Sequence, residues 1–193
     1  KQGYVVTNFK GYLECFFWDF NRMDNVDHNF TIIQHLLDTD SLMVFKPVIV
    51  LTASIIECIL YDFLTRIQEH SREKIANLSE NEIALIKNKE LPNAFYNYIR
   101  LYKKHSIFNN CEGLYAKMEK ICKMRNRIHI QNLKQQPPVK EYEIWNKKNA
   151  IETGEVLRCV VLFLAKNHPR PDHFHDSPDI SEDKFPFPWD NLK

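Results

Sequence analysis

The segment at residues 42–69 constrains the fold more than any other, because it is almost continuously apolar up to Leu64 and far longer than a typical strand. Projected at about 100° per residue, its apolar side chains cover nearly the whole circumference of a helix, which is typical of a helix packed on several sides. The run at residues 44–64 also contains residues unsuited to a membrane span, namely Lys46, Pro47, Glu57 and Asp62. We therefore predict a buried helix and no membrane partner.

The rest of the composition favours an all-α fold. The 193 residues include only four glycines and few alternating apolar runs, which leaves little material for hairpins or for a glycine-rich phosphate loop. A chain of this length that is 44% hydrophobic can build one domain with a sizeable core. We predict a helical bundle divided into an N-terminal helical extension at 1–41, a helical domain at 42–168 and an irregular C-terminal tail at 169–193.

Local signals refine this outline. The polar stretch at 21–29 predicts a loop, and Ser79 followed by Glu82 predicts a capping box that opens a short helix. Longer helices are predicted at 111–131 and 142–166, with a break between them at Gln135-Gln136-Pro137-Pro138. Three aromatic residues are expected to pin the end of the tail on the domain: Phe185, Phe187 and Trp189.

Charge and cysteine content limit the class of partner. The chain has 26 basic and 25 acidic residues, so its net charge gives no indication of nucleic-acid binding. Any anion-binding site has to be a local cluster of cations. The five cysteines are scattered and lack metal-ligand spacing, which is typical of reduced thiols, and no signal-peptide pattern is visible; we expect a cytoplasmic protein. His173 and His175 lack further ligands at suitable spacing, so we expect no metal and no cofactor.

Arg125 and His129 are the residues most out of place in this pattern. On a helix at 111–131, Arg125 falls near the middle of the apolar stripe and His129 lies one turn on. The two positions are separated by about 6 Å of helix rise and roughly 40° of rotation, so both side chains can reach one phosphate. The guanidinium would hold the charge and the imidazole would exchange a proton near neutral pH, with Asn126 at the edge of the same face.

Glu57 is the acidic residue that needs an explanation. It is the only one between Ser41 and Tyr61, and an unpaired carboxylate in such an apolar segment would cost several kcal/mol. Arg125 is the predicted partner. The pair has two compatible interpretations: a structural bridge that joins two helices, or a bridge that also aims Arg125 within a catalytic site.

These residues carry a resemblance to a known family. An all-helical domain whose first long helix holds a lone Glu and whose later helix ends in Arg-Asn-x-x-His resembles the HEPN superfamily, the higher eukaryotes and prokaryotes nucleotide-binding domains. The matching positions are Arg125, Asn126 and His129, and the resemblance covers about residues 42–166. Three residues separate the Arg from the His, the compact form of a motif that usually has four to six. Gln131 stands where the adenylylated toxin branch carries a Tyr, which argues against that mode of control.

The resemblance implies a metal-independent endoribonuclease with a composite active site formed by two protomers. His129 would act as general acid or base at the ribose 2′-OH, and Arg125 would stabilise charge on the scissile phosphate, leaving a 2′,3′-cyclic phosphate and a 5′-OH. The implied partners are RNA, a second copy of the chain, and an antitoxin or defence-system protein in a toxin, abortive-infection or phage-defence setting. One basic helix face would track the RNA backbone, or is simply a solvated face: Lys117, Lys120, Lys123 and Arg127.

Two other functional classes stay open. In the first, the protein is a catalytically inactive HEPN-like binding or assembly module, and Glu57 and Arg125 form only a structural bridge. In the second, it is an unrelated helical bundle with no role in RNA chemistry. Exposure of the Arg/His pair discriminates between them, because an enzyme needs Arg125 and His129 open to a substrate, whereas packing under other side chains would exclude catalysis.

Overall fold

The described part of the chain folds into eight α-helices and three 3-10 turns. The computed structural model describes residues 6–39, 41–69, 75, 77–87, 90–91, 94–108, 111, 113–128, 140–171 and 180–192, and this part of the chain contains no strand, which confirms the all-α prediction. Three-residue or five-residue 3-10 turns occupy Leu42–Val44, Glu182–Lys184 and Pro188–Leu192. The helices are α1 (Phe9–Glu14), α2 (Phe20–Leu37), α3 (Phe45–Glu69), α4 (Glu80–Lys87), α5 (Phe95–Lys104), α6 (Leu114–Asn126), α7 (Glu141–Ile144) and α8 (Lys147–Asn167).

Helix α3 is the centre of the bundle. It packs mainly against α2 and α8, and also against α4, α5 and α6. The stretch Leu42–Glu69 is long and apolar enough to cross a membrane by length and composition, and half of its most apolar window is buried inside the protein, as in the core helix of a bundle. Its circumference is not fully covered, however, because Val50, Ser54, Glu57 and Tyr61 form a stripe of intermediate exposure at helical spacing.

The predicted loop at 21–29 is wrong, because these residues belong to α2. Asp19 caps the start of the helix by accepting a hydrogen bond from the backbone N–H of Arg22 at 3.1 Å. Apolar residues recur every three or four positions through the polar stretch and bury one face against the core: Met23, Val26, Phe30, Ile33 and Leu37. Their spacing outweighs the polar residues between them, which occupy the solvent side of the same helix.

The predicted single helix at 142–166 is interrupted. Helix α7 ends at Ile144, and α8 begins after Asn146, whose side chain accepts from the backbone N–H of Asn149 at 2.9 Å. Trp145 is buried at the corner, so the break turns an aromatic ring into the core. The side-chain cap of Asn146 therefore starts a new helix, and α7 does not continue into α8. The capping box of Ser79 and Glu82 is confirmed, since their side chains and backbones bond reciprocally at the start of α4.

The N-terminal helices and the C-terminal segment share the core of the central helices. The guanidinium of Arg66, fully buried on α3, donates to the backbone carbonyls of Phe16 and His168 at 3.2 and 2.8 Å, which ties the end of α1 to the end of α8. Trp189 is fully buried against Gly154, where an added Cβ would lie 2.4 Å from the indole ring. Phe185 is also buried and Phe187 is partly buried, so aromatic anchoring of the tail is confirmed; the domain limits at 41 and 168 stay predictions.

Candidate functional site

Helix α6 carries the candidate site, within narrower limits than the sequence predicts. It begins at Leu114 rather than at residue 111, because Gly113 precedes it with a left-handed φ of 74°. It ends at Asn126, and the chain continues as a turn in which the backbone N–H of Ile128 donates to the carbonyl of Arg125 at 3.2 Å. His129 and Gln131 lie outside the described residues, as do His173 and His175. The helical relation between Arg125 and His129 therefore stays a prediction.

The predicted ion pair between Glu57 and Arg125 is confirmed. Nη2 of Arg125 donates to Oε2 of Glu57 at 2.7 Å, which joins α6 to α3. The side chain of Glu57 is 20% exposed and that of Arg125 is 33% exposed. Glu57 lies on the incompletely covered stripe of α3, so its carboxylate is only partly buried. The pair is therefore reachable from solvent.

Asn126 lies beside this pair, as its position in the motif predicts. Its Oδ1 accepts a long hydrogen bond from Nη1 of Arg125 at 3.4 Å, and its Nδ2 donates to Sγ of Cys122 at 3.8 Å. Asn126 is exposed, whereas Cys122 is buried. Burial raises the pKa of the Cys122 thiol, with the positive charge of Arg125 opposing the shift, so this sulfur is a packed thiol and not a thiolate nucleophile.

Two tyrosines extend the site along α3 and α5. The rings of Tyr61 and Tyr98 lie 5.7 Å apart, and the guanidinium of Arg22 lies 4.7 Å from the centre of the Tyr61 ring. Burial, followed by the charge of Glu57, raises the pKa of the Tyr98 phenol. Tyr98 is thus a neutral wall of the site near Glu57. Tyr98 and Tyr102 are both buried, so these aromatic residues pack in the core.

Asp62 is a buried carboxylate that the sequence analysis did not single out. It is fully buried and accepts from the backbone N–H groups of Trp18 and Asp19 at 2.7 and 3.1 Å, and from Nη1 of Arg22 at 2.9 Å. Burial raises its pKa, while these donors oppose the shift. Asp62 therefore holds the connection between α1 and α2 on α3. In the sequence, the indication of this role is that Asp62 is an acidic residue within the long apolar segment at residues 42–69.

The predicted basic face of α6 is present. Lys117, Lys120 and Lys123 are exposed and Arg127 is partly exposed. A surface groove of about 370 Å³, here called the α6–α7 groove, is lined by Lys120, Lys123, Arg127, Glu143 and Asn149 among others. Lys120 is held within the protein by an ion pair with Glu152 and a hydrogen bond to Asn149 at 3.1 Å, so its charge is partly neutralised.

A second basic surface, on α5, was missed by the sequence analysis. It lines a groove of about 660 Å³, the α5–α6 groove, together with Glu119 of α6. The available signal was the amphipathic spacing of α5, which buries Phe95, Tyr98, Ile99 and Tyr102 and exposes the other side. The exposed residues that line the groove are Tyr96, Asn97, Arg100, Lys103 and Lys104, together with the acidic residue Glu90.

Comparison with known proteins assigns no family. No protein-family model, curated protein or solved structure matches the chain. Within the described ranges no three His, Cys, Asp or Glu side chains are grouped so that they could hold a metal ion. The fold and site thus define an all-helical protein with a solvent-reachable carboxylate–guanidinium pair that joins α3 to α6, and with two surface grooves lined in part by cations of α5 and α6.

Proposed function

We propose that this protein is a HEPN-like endoribonuclease that cleaves RNA without a metal ion, in a composite site built from two copies of the chain. The observation that supports this proposal most is that Arg125 is both held by an ion pair and partly exposed. Its guanidinium is fixed at one nitrogen by Glu57 and remains one third exposed, so it is positioned and still accessible to a phosphate. The active site belongs to a homodimer, and an antitoxin or defence-system protein is the proposed regulator.

The chemistry requires one positive group and one group that moves a proton. His129 removes the proton of the ribose 2′-OH, the 2′ oxygen attacks the phosphorus, and the bond from phosphorus to the 5′ oxygen breaks. The 5′ oxygen takes up a proton and leaves as a hydroxyl, while the other product carries a 2′,3′-cyclic phosphate. Arg125 neutralises the charge that develops on the phosphate, and Asn126 beside it supplies an amide to orient the same group.

Glu57 acts as a positioning residue in this proposal. A guanidinium that is bonded at one end loses rotational freedom before substrate arrives, so less ordering is needed when the phosphate binds. In the predicted catalytic set, Arg125 and His129 contact the RNA. Asn126 orients the phosphate, and Glu57 holds Arg125 through their ion pair. The four cations of α6 contribute attraction for the RNA backbone: Lys117, Lys120, Lys123 and Arg127.

The second candidate function is a catalytically inactive HEPN-like binding or assembly module. It is favoured by the same ion pair, because Glu57 and Arg125 connect α3 directly to α6 and would serve equally as a structural bridge. In that case Arg125 contributes to the stability of the fold and to no chemical step.

RNA cleavage in the presence of EDTA separates the two candidates. We expect wild type to give products with a 2′,3′-cyclic phosphate and a 5′-OH, and expect Arg125→Ala and His129→Ala to lower the rate by about 100-fold or more. Arg158→Ala is the matched control, since Arg158 is another ion-paired arginine with 27% of its side chain exposed, on α8. Cleavage at the wild-type rate by both variants would overturn the mechanism. A wild type that cleaves no RNA, in which Arg125→Ala changes only stability, would identify the inactive module.

A further inference from the structure

The outer face of α5 has the features of a binding surface that no part of the RN-x-x-H motif requires. An exposed tyrosine, Tyr96, stands at the first turn with 46% of its surface accessible, and the cations Arg100 and Lys104 follow at one and two turns along the same side. The inner side is fixed to the core, since the hydroxyl of Tyr102 donates to the carbonyl of Leu60 on α3 at 2.9 Å. The outer residues are therefore held on a rigid helix.

The α5–α6 groove is lined by three cations, Arg100, Lys103 and Lys104, and by two carboxylates, Glu90 and Glu119, so its formal charge is +1. Among the described residues, Arg100 and Lys104 form no ion pair with a carboxylate, and Lys103 has only a loose contact with Glu119 at 3.8 Å while 63% of its side chain is exposed. The two unpaired cations lie on the exposed side of α5 and can each take a phosphate.

The two basic grooves lie on either side of α6. Glu119 lines both of them, so the α5–α6 groove and the α6–α7 groove are separated only by the width of one helix, about 10–12 Å. Lys123 and Arg127 on the far side have no carboxylate partner within the described residues either. A strand of phosphates that crossed α6 from one groove to the other would meet the carboxylate of Glu119, so the binding surface is confined to the α5–α6 groove.

Helix α5 packs against α6, the helix that carries Arg125 and Asn126. An oligomer that lies along α5 therefore lies against the helix of the candidate active site.

We propose that single-stranded RNA binds in the α5–α6 groove, with its phosphates on Arg100 and Lys104 and one base stacked on Tyr96. This inference rests on the proposed ribonuclease function and names its substrate-binding surface. An exposed ring among cations fits an unpaired strand, because the bases of a duplex are already stacked on each other and offer no free face. An acidic protein would also bind to the cations Arg100 and Lys104, but its binding would not depend on the ring of Tyr96.

Fluorescence anisotropy with a labelled oligouridylate of about 12 nucleotides, a length within the usual range for single-strand sites, tests the proposal. Full 2′-O-methylation of this RNA prevents cleavage and makes binding independent of catalysis. We expect Arg100→Ala/Lys104→Ala to weaken binding about tenfold at 0.15 M salt and to reduce the salt slope by about 1.4, since each single-strand phosphate contact contributes about 0.7. Lys166→Ala/Lys184→Ala is the matched control, because it removes the same charge at exposed positions outside α5, and it should bind like wild type.

A second set of variants tests whether a base stacks on Tyr96. Tyr96→Ala should weaken binding about fivefold or more, because stacking on an aromatic side chain contributes at least this much per base. Leu85→Ala, at another exposed apolar side chain, is its control. An abasic oligomer of the same length should lose the dependence on Tyr96 but keep the dependence on Arg100 and Lys104. Equal binding of the abasic oligomer and the RNA by wild type would refute stacking and indicate an acidic-polymer surface instead.

The outcomes for this surface and for the proposed function are distinguishable. If wild type cleaves RNA and the Arg100/Lys104 variant binds as tightly as its control, the binding surface is refuted and the ribonuclease function stands. If wild type cleaves no RNA but binding depends on Tyr96, Arg100 and Lys104, the surface stands and the catalytic proposal fails. Absence of binding to the oligomer by wild type would overturn the surface.

Discussion

The ion pair of Glu57 and Arg125 should stabilise the fold by a measurable but modest amount. Two unit charges about 4 Å apart attract by about 4 kcal/mol at an effective dielectric of 20, and desolvation of two partly covered ions offsets much of this. Exposed pairs contribute about 0.2–1 kcal/mol, whereas removing one partner of a fully buried pair costs about 3–5 kcal/mol. With side chains 20% and 33% exposed, the pair lies between these limits, and we expect a coupling free energy of about 1–2 kcal/mol.

A double-mutant cycle measures this coupling. Urea unfolding followed by circular dichroism would give the free energies of unfolding of wild type, Glu57→Gln, Arg125→Met and the double variant. The coupling should decrease in concentrated salt, since solvent reaches both groups. A coupling within about 0.3 kcal/mol of zero would refute the structural reasoning, because residues that do not interact add within that margin. RNA cleavage that falls far more in Arg125→Met than its stability loss explains would place the guanidinium in the chemical step.

Three further perturbations test the packing that supports the site. Gly154→Ala should destabilise the protein by about 2–3 kcal/mol in urea unfolding, because the new methyl group would displace the buried ring of Trp189; an unchanged midpoint would contradict this packing. Asp62→Ala should cost about 1–3 kcal/mol, because it leaves the part-buried backbone N–H groups of Trp18 and Asp19 without an acceptor, and a loss below about 0.5 kcal/mol would refute that role. Burial raises the pKa of Cys15 and Cys58 from 9.0 to about 12, so the folded state keeps protons that the unfolded state loses. The stability that these thiols contribute is complete below pH 9 and is lost as pH rises toward 12. The free energy of unfolding in urea should therefore decline less over this pH range in Cys15→Ala than in wild type. An identical decline would contradict the raised pKa of the Cys15 thiol.

The sequence predicted the helical class, the buried central helix and the partner of Glu57, because each depends on local spacing and on the cost of burying a charge. Apolar residues at helical intervals identify a buried face without knowledge of its partner. A carboxylate within an apolar helix likewise requires a cation, and Arg125 was the cation equally out of place on another helix. Both arguments need only the chain itself.

Other features depended on which elements meet in space. The stretch at 21–29 forms part of α2 because Met23 and Val26 find a core to bury against, a fact that its polar composition conceals. The break before α8 arises from Asn146 capping a helix while Trp145 turns inward. The groove on α5 exists because that helix packs against both α3 and α6 and leaves Arg100 on its outer side.

The sequence by itself determined that this protein is helical, that α3 is its core and that Glu57 requires a cation. Those properties follow from helical periodicity and from the free energy of transferring apolar and charged groups out of water. Only the tertiary structure decided that the Glu57–Arg125 pair is partly open to solvent, and that residues of α5 and α6 line two surface grooves. Exposure and groove shape depend on how helices distant in sequence pack together, which no local pattern encodes.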